Sequence, residues 1–176
     1  MKKPTSYYTP GKTVRVNDKM QKDYSYKLTA KYGTDFSSNF KPFYTPREML
    51  KMGVFEGKYI NDCQNEFPKE WFVDAKVSKF KADSTINYFG IKSRQPLSTW
   101  KQKDWIYGND VRGWFQWYCR YYIGRREPEI DKIQVGRHNS FKRHAGHIRK
   151  NCKSGDITCR PKQRQALLQW AYDPFI

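Results

Sequence analysis

Negative charge and uninterrupted apolar sequence are what this chain has least of. Of its 176 residues only 17 are acidic against 34 Lys and Arg, a formal net charge of +17. No run of about 18 apolar residues occurs, which excludes a membrane-spanning helix. The opening Met1-Lys2-Lys3-Pro4-Thr5 lacks an apolar core, so no secretory signal is expected and a cytoplasmic location is. There the four cysteines would be reduced. The chain also lacks a Walker loop, a dinucleotide fingerprint, a nucleophile elbow and a His-Glu-x-x-His pair, which removes the common signatures of enzymatic chemistry. It has neither internal repeats nor low-complexity tracts.

Aromatic residues are abundant: 6 Trp, 13 Tyr and 11 Phe. Each buried ring removes about 150–250 Å² from water, so a modest hydrophobic content of 38% still builds a core and a disordered basic tail is excluded. The length suits one domain. Residues 1–44 are polar, Lys- and Tyr-rich, and interrupted by Pro4, Pro10, Gly11, Gly33 and Pro42. They read as an extended arm with at most a short helix around Tyr24 to Lys31. Residues 45–176 read as a compact, mostly α-helical domain with short connections.

Thr45-Pro46-Arg47-Glu48 has capping-box order and starts a helix at Pro46 that Gly53 or Gly57 ends. Further helices are predicted from Pro68 to Lys79, from Leu97 to about Lys103, after Asp110 to Ile123 with Gly124 as the stop, from Pro128 to about Asn151, and from Pro161 to Tyr172. The stretch 83–94 reads as loop with short extended structure. In Trp114-Phe115-Gln116-Trp117-Tyr118-Cys119-Arg120-Tyr121-Tyr122 the apolar side chains sweep about 200° of a helix, with Gln116 and Arg120 opposite. Such a surface can stack unpaired bases, but an arc this wide favours a buried central helix. On the helix from Pro128, Ile130, Ile133, Phe141, Ala145 and Ile148 form an apolar stripe into which Gln134, Arg137 and His144 intrude. The ionisable Arg137 and His144 need partners.

The basic residues are unevenly placed. Nine of the 12 arginines follow residue 110, and within 137–164 nine cations meet Asp156 alone. Arginine binds phosphate oxygens bidentately, so the C-terminal third is the expected contact surface: Arg125, Arg126, Arg137, Arg143, Arg149, Lys150, Arg160, Lys162 and Arg164. The start of the last helix, Cys159 to Arg164, is a candidate phosphate site, because free N–H groups there attract an anion. The competing account packs those arginine stems over Trp170 and Tyr172.

Two kinds of metal chemistry are also open. His144, His147, Cys152 and Cys159 are the ligand types of tetrahedral zinc, although their spacing matches no common finger or ribbon. No other cofactor is expected. Glu56, Asp62 and Asp74 are candidate acids for a metal-dependent nuclease or a base-excising enzyme, which needs converging carboxylates or one catalytic acid. Capping and surface ion pairs explain the same residues more simply. Cys63 and Cys119 read as ordinary buried thiols.

Several strings resemble a family of small basic proteins found in large phages or viruses and in some microbial and plant genomes. They are Glu48 to Leu50 with Gly53 to Tyr59, Asn87 to Arg94, Gly113 to Tyr122 and Cys159 to Trp170. The resemblance spans about 45–173 and implies no activity or catalytic residue. It implies an arm appended to a compact unit, and for a phage-borne chain a host cytoplasm or nucleoid. The expectation is therefore a non-catalytic nucleic-acid-binding protein contacting mainly phosphates, with DNA placed ahead of RNA. The alternatives are a nucleic-acid enzyme or a structural, host-interacting protein whose partner is an acidic protein surface.

Overall fold

The computed structural model describes residues 1–176, and its first helix begins where capping chemistry predicts. Thr45 Oγ1 accepts the Glu48 N–H at 3.1 Å and Glu48 Oε2 accepts the Thr45 N–H at 2.7 Å. That closed capping box opens α1, Pro46–Met52, which stops at Gly53. Then follow α2 at Leu97–Gln102, α3 at Trp114–Ile123, α4 at Pro128–Ser140, α5 at Lys142–Asn151 and α6 at Pro161–Gln169. About 40% of the chain is helical, 3₁₀ turns included, beside one two-stranded sheet. The fold is mostly, not purely, helical.

Nine of the ten α3 residues are buried, so this segment is core and not a stacking platform. Its polar atoms find partners inside. Trp117 Nε1 donates to Asp131 Oδ1 at 2.8 Å, Trp114 Nε1 to the Gln134 carbonyl at 3.1 Å, and the Tyr118 hydroxyl to the Tyr44 carbonyl at 2.6 Å. The face of Gln116 and Arg120, opposite the aromatic arc, is buried as well. Arg120 pairs with Glu66 at 2.6 Å and Asp110 at 3.1 Å, and Arg125 pairs with Asp110 at 2.7 Å. Two cations and two anions thus neutralise one another within the core.

The expected arm over residues 1–44 is instead part of the core. Strands β1, Thr13–Val16, and β2, Tyr24–Lys27, pair antiparallel with Val16 opposite Tyr24. They turn Val14, Val16 and Tyr26 inward, so in place of the helix considered for Tyr24 to Lys31 there is a strand over Tyr24–Lys27 and irregular chain after it. After β2 the Thr29 and Ala30 N–H groups donate to the Gly124 carbonyl at 2.9 and 3.1 Å. Gly124 has φ +121°, and a Cβ there would run into the Ala30 carbonyl, so glycine is required where the hairpin meets the end of α3. Further on, Phe40 is 2% exposed and lies edge-on to Trp117, Tyr118 and Tyr121. Its burial, and not chain composition, decides that the segment is integral: too many of its rings and valines are needed to cover α3.

Two helix expectations are corrected. After Pro68 only a 3₁₀ turn, Lys69–Phe72, forms. Lys76 N donates to the Leu50 carbonyl at 2.9 Å and Ser78 N to Gly57 at 2.8 Å, so bonds to distant backbone replace the helical ladder, and Phe80 is exposed. The run from Pro128 breaks at Phe141. Ser140 Oγ donates to the Arg137 carbonyl at 2.7 Å and the next main-chain bonds span three residues, which tightens and redirects the chain. The buried face of α4 is Asp131, Gln134, Val135 and His138, while Ile133 of the expected stripe is 40% exposed. The segment 83–94 carries a single 3₁₀ turn, Ser84–Ile86, and no strand.

Candidate nucleic-acid interface

Two glutamines of α6 organise a concave site. Gln169 Oε1 accepts the Phe55 N–H at 3.1 Å and Gln169 Nε2 donates to the Ser93 carbonyl at 2.9 Å. Gln165 likewise accepts the Phe89 N–H at 3.1 Å and donates to the Gly53 carbonyl at 3.1 Å. These bonds hold the Gly53–Phe55 and 89–93 loops against α6. Between these loops, α2, the first turn of α3, the α4–α5 junction and α6 lies a cleft of about 420 Å³.

Rings line it in two groups. In one, Phe55 packs on Tyr59 with centroids 4.4 Å apart, and Tyr59 on Trp100 at 5.6 Å. In the other, Phe141 stacks on Trp170 at 4.0 Å and Trp170 on Trp114 at 4.6 Å. The break after α4 is what brings Phe141 onto Trp170. Gly113, φ +87°, forms part of the floor, and a Cβ there would lie 2.8 Å from the Tyr59 hydroxyl and 3.1 Å from the Trp100 ring. The Tyr59 hydroxyl is itself buried without a hydrogen-bond partner.

The charge around this cleft has one sign. Arg94, Arg137, Arg143, Lys162 and His144 line it, and no Asp or Glu does. Arg94 is neutralised from behind by Glu56, at 2.7 Å. Arg137 is not: half-buried, it donates to the Trp105 carbonyl at 3.1 Å and Gln134 Oε1 at 2.9 Å and has no carboxylate partner. Desolvation pulls its pKa below the ordinary arginine value, the mark of a cation short of counter-charge. Burial, with Arg143 and His147 nearby, likewise lowers the His144 pKa.

The nine cations expected on the contact surface divide three ways. Arg125 belongs to the buried ion cluster. Arg164 is fully buried and donates to the Cys159, Pro174 and Ile176 main-chain oxygens. Arg126 stacks over Tyr121 at 3.6 Å and donates to the Thr34, Asp35, Tyr121 and Arg125 carbonyls. These three hold the fold together, and the proposed Cys159–Arg164 phosphate site loses Arg164. Arg137, Arg143 and Lys162 line the cleft. Arg149, Lys150 and Arg160 are exposed farther along α5 and before α6, and none has an acidic partner.

The candidate zinc set does not assemble. Cys152 and Cys159 are joined by a disulfide across the α5–α6 loop, so their thiols are consumed and the expectation of four reduced cysteines is corrected. His144 faces Gln163, 3.5 Å away, and His147 is exposed. Nor do the candidate acids converge: Glu56 holds Arg94, Asp62 pairs with Arg112 at 3.2 Å, and Asp74 is exposed. Asp18, Cys63 and Glu66 do place ligand atoms within 4.8 Å of one another, but Arg112 and Arg120 already occupy the two carboxylates. Cys63 and Cys119 are buried free thiols, and burial raises the pKa of both.

The cleft escaped the sequence because its rings come from five separate stretches. Only the intrusion of Arg137 and His144 on an apolar stripe hinted at it. No helix is long and apolar enough to cross a membrane. No family model, no curated protein and no solved structure matches this chain.

Proposed function

We propose that the protein binds nucleic acid through phosphate contacts from α5 and the start of α6. The observation that supports this is the set Arg143, Arg149, Lys150, Arg160 and Lys162: all are exposed, and none has a carboxylate partner. Arg112, Arg120 and Arg125, by contrast, are buried and absorbed by ion pairs. Unneutralised cations on two adjoining helices present a field that attracts a polyanion. Contacts of this kind fix position along a backbone without reading sequence.

Binding of labelled single- and double-stranded DNA and RNA across a salt series tests the reading. Neutralising several phosphates gives a slope of about −3 to −5 in log K against log salt. No binding, or binding indifferent to salt, overturns it.

A further inference from the structure

We propose that the aromatic cleft takes one unstacked nucleotide of a single strand, its base against the rings and its phosphate on the rim formed by Arg137, Arg143 and Lys162; this rests on the nucleic-acid reading above. The cleft volume, about 420 Å³, lies within the range of small-ligand pockets, roughly 300–1,000 Å³. Its walls select a flat ring. Trp100, Trp105 and Phe141 are half-buried rings of the lining, and any base has a π-face to set against them whatever its sequence.

Charge selects an anion attached to that ring. The lining contains no acid, and half-buried Arg137 has carbonyl and amide oxygens and the Tyr107 and Trp170 rings for partners but no carboxylate. Such a cation is destabilised by its own desolvation until an anion joins it. The cationic rim is occupied on one side by Arg143 of α5 and on another by Lys162 of α6, the same helices that carry Arg149, Lys150 and Arg160 outward. A strand leaving the cleft therefore continues along exposed cations, which favours a nucleotide within a polymer over a free one.

The test uses the full chain with a short oligothymidylate, an abasic phosphodiester strand of equal length, and thymidine 5′-monophosphate. Four of the six tryptophans, Trp100, Trp105, Trp114 and Trp170, line the cleft and report occupancy by their emission. Oligothymidylate should quench that emission and bind at least about fivefold more tightly than the abasic strand, from stacking of one base. Ala166→Phe, which fills the cleft from α6, should lower the affinity for oligothymidylate to the abasic level and leave abasic binding unchanged. Lys162→Glu, at an exposed position, should weaken both strands, and where Ala166→Phe fails to fold the comparison of oligothymidylate with the abasic strand on the unaltered chain decides. Equal affinity for the two strands with no quenching overturns the cleft proposal and leaves nucleic-acid binding standing. Quenching by the monophosphate with no tighter binding of any strand overturns it in favour of a free nucleotide. No strand binding at any salt overturns the proposed function itself.

Discussion

Arg125 donates to Asp110 at 2.7 Å with both side chains almost wholly buried, although its place in the chain suggests a phosphate-binding cation. The same carboxylate takes Arg120 at 3.1 Å, and Arg120 reaches Glu66, which also accepts the Tyr26 hydroxyl at 2.7 Å. The cluster thus ties the N-terminal hairpin to α3. Removing one member leaves a net charge uncompensated in the core. Arg125→Ala should cost about 3–5 kcal/mol of unfolding free energy in urea titrations, whereas Arg149→Ala should stay within about 0.5 kcal/mol. Equal effects would mean that Arg125 is not part of a tight internal cluster.

The same division predicts binding. Arg149→Ala and Lys150→Ala should each reduce the steepness of log K against log salt by about 1, because each removes one phosphate contact. Arg126→Ala, which removes a cation stacked on Tyr121, should leave that slope as it is. Anisotropy titrations with one labelled strand at several salt concentrations measure both.

His138 stacks on Tyr172 at 4.3 Å and lies edge-on to Phe40 at 4.9 Å, with Nδ1 unpartnered. Desolvation lowers its pKa from 6.5 to about 4. The unfolded chain therefore binds a proton at a pH where the folded one does not. The sign follows: this contribution to stability is complete above about pH 6.5 and is lost as pH falls toward 4, by up to about 3 kcal/mol. His138→Phe keeps a stackable ring without the titration and should flatten that part of the stability profile. A wild-type profile no steeper than that of His138→Phe would refute a neutral buried imidazole.

Thiol counting separates the cysteines. Native protein should leave Cys63 and Cys119 unlabelled by an aromatic disulfide reagent, since both are buried and their pKa values raised. Unfolding without reductant should release two thiols, and with reductant all four. The Cys152–Cys159 bridge closes a short loop, with a sequence separation of 7, so its reduction should cost about 2–3 kcal/mol. Four thiols on unfolding without reductant would mean that no bridge had formed.

Phe40 gives the sharpest check on the N-terminal region. Phe40→Ala should destabilise by about 3–5 kcal/mol, as a deep cavity beside α3 demands. An effect below about 1 kcal/mol would return residues 1–44 to the status of an appended arm.

Local chemistry was legible in the sequence wherever the deciding atoms are near neighbours along the chain. The Thr45–Glu48 box, the glycine stop after Ile123 and the loop between Cys152 and Cys159 all depend on a few consecutive residues. The width of the aromatic arc on Trp114 to Tyr122 was enough to mark it as core, because water cannot tolerate that much ring surface. Charge asymmetry, too, is a property of composition alone.

Tertiary structure decided everything that depends on which distant group lies beside which. Nothing local distinguishes Arg125 from Arg149; the presence of Asp110 makes one structural and its absence leaves the other free. The cleft exists because Gln165 and Gln169 fix two remote loops and because the chain breaks at Phe141. The hairpin became core because α3 needs covering on every side, a demand that residues 1–44 cannot express by themselves. Hydrogen bonding and burial act on neighbours in space, and only folding makes those neighbours.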